Sequence, residues 1–144
     1  MNQRKTISGL LAISILGFGI GYILTNSYNF TLCYANLETN TFDVSCHSLY
    51  EAIGNPLFYG MGALAIVFFI LLFASHAFSV WKKFAIWFVP LAALLFIFYP
   101  DPGSGDFFSP YAEQIYQWIS GLYVLVSLVI IAIASLRKPD YPIS

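Results

Sequence analysis

Four long apolar runs dominate the chain, at residues 7–24, 57–80, 84–99 and 115–136, and no acid falls inside any of them. Polar segments at 25–56 and 100–114 and a short basic stretch around Lys82 separate them. A helix that crosses a hydrocarbon core of about 30 Å needs about 20 apolar residues, so three of the runs are long enough. The third spans about 24 Å at 1.5 Å per residue, and Trp81 with the stems of Lys82 and Lys83 is expected to extend it. The pattern predicts an all-α polytopic membrane protein. Residues 1–144 form a single membrane domain, a four-transmembrane-helix bundle running up-down-up-down, with outer loops at 25–56 and 100–114.

Charge gives this bundle a direction. Arg4 and Lys5, Lys82 and Lys83, and Arg137 and Lys138 all fall on one side of the predicted spans, whereas Glu38, Asp43, Glu51, Asp101, Asp106 and Glu113 fall on the other. By the positive-inside rule both termini are cytoplasmic. The first run ends Leu24-Thr25-Asn26-Ser27, without a small-residue cleavage pattern, and reads as an uncleaved anchor. Tyr22, Tyr28, Tyr59, Tyr99, Tyr116 and Trp118 are expected at the outer interface, and Trp81 and Trp87 at the inner one. A bacterial inner membrane is the expected location.

Composition agrees with the pattern: 59% of residues are hydrophobic, 19% aromatic and only 9% charged. Such a chain cannot coat a water-soluble globule with polar side chains. Six basic residues and a net charge of −1 also exclude the electrostatic footprint of a nucleic-acid binder. The lipid bilayer is the expected surrounding, and a protein partner or a second copy within the membrane the expected company. Gly17-Phe18-Gly19-Ile20-Gly21 and Gly60-x-Gly62-Ala63 supply small-residue stripes, and Gly17, Gly21, Gly60 and Gly62 are the candidate packing positions. They serve either packing within this chain or pairing with another. Pro90 removes the bond to the Ile86 carbonyl and is expected to kink the third span, as a packing feature or a hinge.

Candidate chemistry is sparse. Cys33 and Cys46, the only cysteines, lie in the outer loop, where oxidation to a disulfide is expected. The pair reads either as a structural staple or as a redox couple, with His47 beside it as the catalytic helper in the second case. A zinc site lacks a ligand. Ser48-Leu49-Tyr50-Glu51 has the form of a capping box opening a short interfacial helix to about Ile53. Gly54 then ends that helix, Asn55 caps the next, and Pro56 opens the second span. His76 is the one side chain within a predicted span that would titrate near neutral pH, either an interfacial histidine or a proton relay or ligand. Asp101 and Asp106 surround a Pro-Gly-Ser-Gly turn in which calcium ligation lacks the glutamate at position twelve, Ala112 standing there. Ser109-Pro110 is expected to start the helix that carries Glu113 into the fourth span. Asn29-Phe30-Thr31 fits a glycosylation acceptor.

The run from Cys46 through Ser48, Tyr50, Ile53-Gly54, Pro56 and Gly60 to Met61 resembles the vitamin K epoxide reductase family. There a loop cysteine is followed by Ser, an aromatic residue, an Ile-Gly turn, Pro and Gly at the opening of the second span. The resemblance covers residues 33–61. It implies four core helices, a cytoplasmic N-terminus and a redox-active loop pair, which Cys33 and Cys46 match, with a quinone as electron acceptor. The family's CxxC near the fourth span has no counterpart, since Tyr111-Ala112-Glu113-Gln114-Ile115-Tyr116 holds no cysteine. The leading expectation is therefore a membrane accessory or interaction protein. It presents an acidic, disulfide-stapled outer loop and has neither catalysis nor cofactor of its own. A thiol-disulfide oxidoreductase of the vitamin K epoxide reductase type is the alternative, and a small channel or transporter subunit the third reading.

Overall fold

A computed structural model describes residues 3–36, 41–98 and 111–136. Four helices account for most of them: α1 (Gln3–Thr25), α2 (Val44–Phe73), α3 (Phe78–Phe98) and α4 (Ala112–Leu136). All are long and apolar enough to cross a membrane, and their outward faces carry Ile, Leu, Phe and Trp side chains that only lipid would solvate well. The chain is an integral membrane protein. A small hairpin, β1 (Ala35–Asn36) paired antiparallel with β2 (Thr41–Phe42), lies between α1 and α2.

The elements shift several expected boundaries. α2 begins at Val44, so the expected short helix and the second apolar run as far as Phe73 are one helix of 30 residues. Asp43, not Ser48, is the N-cap: its carboxylate accepts from the Cys46 amide at 3.0 Å, while the Ser48 hydroxyl donates to the Ser45 carbonyl at 3.0 Å. The capping box at Ser48 and Glu51 is thus overturned by a better-placed carboxylate one turn earlier. Gly54 does not end a helix, nor does Asn55 cap one. A Cβ on Gly54 would lie 2.8 Å from the Thr25 backbone nitrogen, so the glycine is there to let α1 and α2 approach. Pro56 sits inside α2, and Ala52, whose carbonyl loses its helical donor, is exposed in the early turns of the helix.

The turn between the second and third runs also moves. α2 stops at Phe73, a 3-10 turn covers Ser75–Ala77, and α3 starts at Phe78. Its polar residues are Ser75 and His76, too few to interrupt an apolar run. Lys82 and Lys83 instead belong to the early turns of α3, with exposed side chains whose stems reach outward from the helix. At 21 residues α3 spans about 31 Å and needs no extension. Pro90 is accommodated within it as a single helix.

Packing centres on α2. Ile7, Val67, Leu71, Trp81, Tyr123 and Ile131 belong to one buried cluster contributed by all four helices. Along α1 and α2 the registers run in opposite senses, Gly17 facing Met61, Gly21 facing Phe58, and Thr25 facing Gly54. The α3–α4 pair behaves likewise, with Phe96 on Tyr116, Phe88 on Tyr123 and Trp81 on Ser127. The α1–α2 seam is extensive, whereas the α2–α3 pairing is sparse.

Candidate functional site

The end of the molecule that the charge pattern leads one to expect outward, hereafter the outer end, is organised by one cluster of interactions. Immediately after α1 the chain folds back on itself, and the Ser27 carbonyl accepts from the amides of Leu32 and Cys33 at 2.9 and 3.3 Å. That turn puts Thr31 at φ 56°, a conformation unusual for a β-branched residue. Cys33 then reaches Cys46 in the first turn of α2, and the two form a disulfide with Cα atoms 5.8 Å apart. Cys33 is buried and Cys46 half-buried. His47 lies beneath the same turn. Its Nδ1 is 2.7 Å from the fully buried Ser27 hydroxyl, its Nε2 lies 3.7 Å from Glu51, and its ring stacks on Tyr28 with centroids 4.4 Å apart. Tyr28 in turn donates to the Asp43 carbonyl at 3.1 Å and packs against Phe42.

This arrangement places the three candidate chemical residues, Cys33, Cys46 and His47, in one cluster, but it engages both ring nitrogens of His47 with Ser27 and Glu51. A serine, a histidine and a glutamate in line suggest an acyl-transfer triad, yet a nucleophile with no solvent exposure has no route to a substrate. The cluster can hold a loop in place. Around it the cap exposes apolar side chains: Val44 is 69% exposed, Leu49 64%, and Ile53, Phe42 and Tyr34 are exposed as well.

The packing glycines sort by neighbour. A Cβ on Gly21 would meet the Phe58 backbone nitrogen at 2.5 Å, and one on Gly62 the Phe18 ring at 3.0 Å. Gly17 abuts the flexible Met61 side chain. The stripe thus serves packing within this chain, and Phe18 stacks on Phe58 beside it with centroids 4.7 Å apart. Gly60 points away from the seam, its added Cβ only in ordinary contact, 3.5 Å, with Phe96. His76 is exposed in the 3-10 turn, at the very start of the third apolar stretch Ser75–Phe98. Trp81, expected at an interface, is 3% exposed and donates from Nε1 to the buried Ser127 hydroxyl at 3.1 Å. Tyr116, likewise expected at the interface, is buried against Phe96. Glu38, Asp101, Asp106, Ser109-Pro110, Tyr99 and the basic pair at 137–138 lie outside the described residues.

Where α3 departs from α2, an apolar cleft of about 270 Å³ opens between α2, α3 and α4, walled by Gly60, Leu64, Phe88, Ala93, Phe96 and Tyr123. It meets a wider, more polar recess of about 870 Å³ at the outer end, which shares Pro56, Leu57, Phe96 and Ile97 with it and adds Ser48, Glu51 and Glu113. Beside this mouth Tyr59 donates to the Glu113 carboxylate at 2.7 Å, and Gln117 donates to the Tyr59 oxygen at 3.0 Å. No family model, curated protein or solved structure matches the chain.

Sequence reasoning missed the roles of Ser27 and Gln117, the hydrogen bonds made by Tyr28 and Tyr59, and the Trp81–Ser127 pair. One signal was present. Tyr116, Ser120, Tyr123 and Ser127 recur at three- and four-residue spacing, and all four are buried on the inner face of α4. Small polar residues at that period mark a helix face that packs against other helices.

Proposed function

We propose that the chain is a four-span accessory protein, up-down-up-down with both termini cytoplasmic, that offers its disulfide-clasped outer cap to a protein partner in the membrane. A bacterial inner membrane is the setting we favour. The observation that carries this reading is the combination of a loop held by a disulfide and hydrogen bonds with exposed Phe42 on it and exposed Val44 and Leu49 on the adjoining first turns of α2. An interface of this kind needs apolar anchors that do not collapse onto one another, and the disulfide with the Ser27–His47–Glu51 contacts provides the frame.

A photoreactive side chain at Leu49, activated in intact cells, tests it. A discrete protein adduct that disappears when Cys33 and Cys46 are both replaced by Ser supports the reading, and labelling of lipid alone sinks it. The half-buried Cys46 favours the oxidoreductase as a second reading. In it a substrate dithiol passes two electrons and two protons to the Cys33–Cys46 disulfide, and a quinone reoxidises the pair. A mixed disulfide trapped on Cys46 in a Cys33→Ser variant would move that reading to first place.

A further inference from the structure

The cleft between α2, α3 and α4 is not explained by a docking cap. Its wall is almost wholly hydrocarbon, and residues on its α3 side, Ala93 and Ile97, are exposed to the surroundings of the bundle, so it opens sideways as well as toward the outer end. A cavity of about 150 Å³ lined by aliphatic and aromatic side chains stays dry and takes up benzene. At about 270 Å³ this cleft has room for a longer apolar segment.

What caps that segment follows from charge. Glu51 and Glu113 both line the recess above the cleft. The described cations, Arg4, Lys5, Lys82 and Lys83, all lie toward the opposite ends of the helices, at the start of α1 and in the early turns of α3. The Glu113 carboxylate accepts from Tyr59 and from Gln117, which fixes its position without neutralising it. Glu51 is met by the Asn55 amide at 3.4 Å and, at 3.7 Å, by His47. Two held carboxylates above an apolar slot are complementary to an ammonium group on an apolar chain, and they repel an anionic head group.

We propose that the cleft is a binding site for a membrane lipid with an ammonium-bearing head group, one acyl chain lying along Gly60, Ala93 and Phe96 and the head resting between Glu51 and Glu113. The proposal does not depend on the partner-docking reading: the two share Glu51, but the cleft itself lies between α2, α3 and α4, where Ala93→Phe and Gly60→Leu probe it without touching the cap.

The test is native mass spectrometry of the full chain released from nanodiscs holding equal amounts of phosphatidylethanolamine and phosphatidylglycerol with matched acyl chains. The expected result is one retained lipid per chain, with the ethanolamine lipid preferred at least fivefold. Glu51→Gln/Glu113→Gln is expected to bring the preference to near unity without loss of total lipid. Ala93→Phe, which fills the slot, is expected to abolish retention of either lipid. Gly60→Leu, from the opposite wall, repeats that test if Ala93→Phe lowers the thermal transition. Equal retention of the two lipids by the wild-type chain overturns the proposal. So does undiminished retention in both filled variants, or a lipid-free dimer in which a second copy occupies the slot.

Discussion

The two sides of α2 make opposite use of small residues. Against α1, Gly21, Gly54 and Gly62 bring backbones and rings so close that an added Cβ would lie 2.5 to 3.0 Å from the nearest atom. Against α3, Gly60 and Ala93 leave a cleft of about 270 Å³. A small residue therefore closes one interface and opens another, and what decides between them is the facing surface. Lipid is as apolar as the helices, so association gains little from the hydrophobic effect and rests on close packing and a few hydrogen bonds. The α1–α2 seam has that packing along its length, and the disulfide from Cys33 to Cys46 fastens its outer end. The α3 side relies on Trp81, packed on Phe68 and hydrogen-bonded to Ser127, near the turn.

The contrast can be broken most forcefully at Gly21. Gly21→Ala sets a methyl against the Phe58 backbone, which cannot yield, and is expected to cost about 3 kcal/mol or more, read as a lost or strongly lowered unfolding transition in detergent. Gly19→Ala, two residues away with nothing within 4 Å, should leave that transition intact. Opening the outer fastening by Cys33→Ser/Cys46→Ser is expected to cost about 3 kcal/mol, given a sequence separation of 13. It should appear as new protease cleavage between residues 26 and 43 while the helices persist by circular dichroism. At the other side of α2, Ser127→Ala strands the buried Trp81 N–H and should cost about 1–2 kcal/mol in the same unfolding assay. The smallest effect has the opposite sign. Gly60→Ala meets only an ordinary contact with Phe96 and should stabilise the chain by about 0.5–1 kcal/mol through the helix preference of alanine. A loss at Gly60 equal to that at Gly21 would erase the distinction between seam and cleft.

The spans were legible because apolar length is the strongest signal a sequence carries, and Gly17 and Gly21 were legible as packing positions because their spacing is helical. Boundaries were less so. The turn at Ser75 and His76 contains neither glycine nor proline, so an average over apolar residues runs straight through it, and the conspicuous Lys82 and Lys83 draw the eye six residues too far. Gly54-Asn55-Pro56 has every local mark of a break. The helix continues because Gly54 is needed as an absent side chain against Thr25, and this is information held in α1, 29 residues earlier. Of the outer cluster, Cys33 and Cys46 were visible as residue types, and their pairing was the natural expectation. Ser27 was not visible, because its importance comes from a buried hydroxyl 20 positions away from His47.

Trp81 and Ser127 hold α3 against α4 near the turn, while toward the outer end the cleft between α2 and α3 lies open. A seam between α2 and α3 that is closed near the turn and parted toward the other end would meet the two leaflets unequally. With the proposed lipid in the cleft, entry along the bilayer is from the leaflet at the open end, and the protein would sample the composition of one side of its membrane.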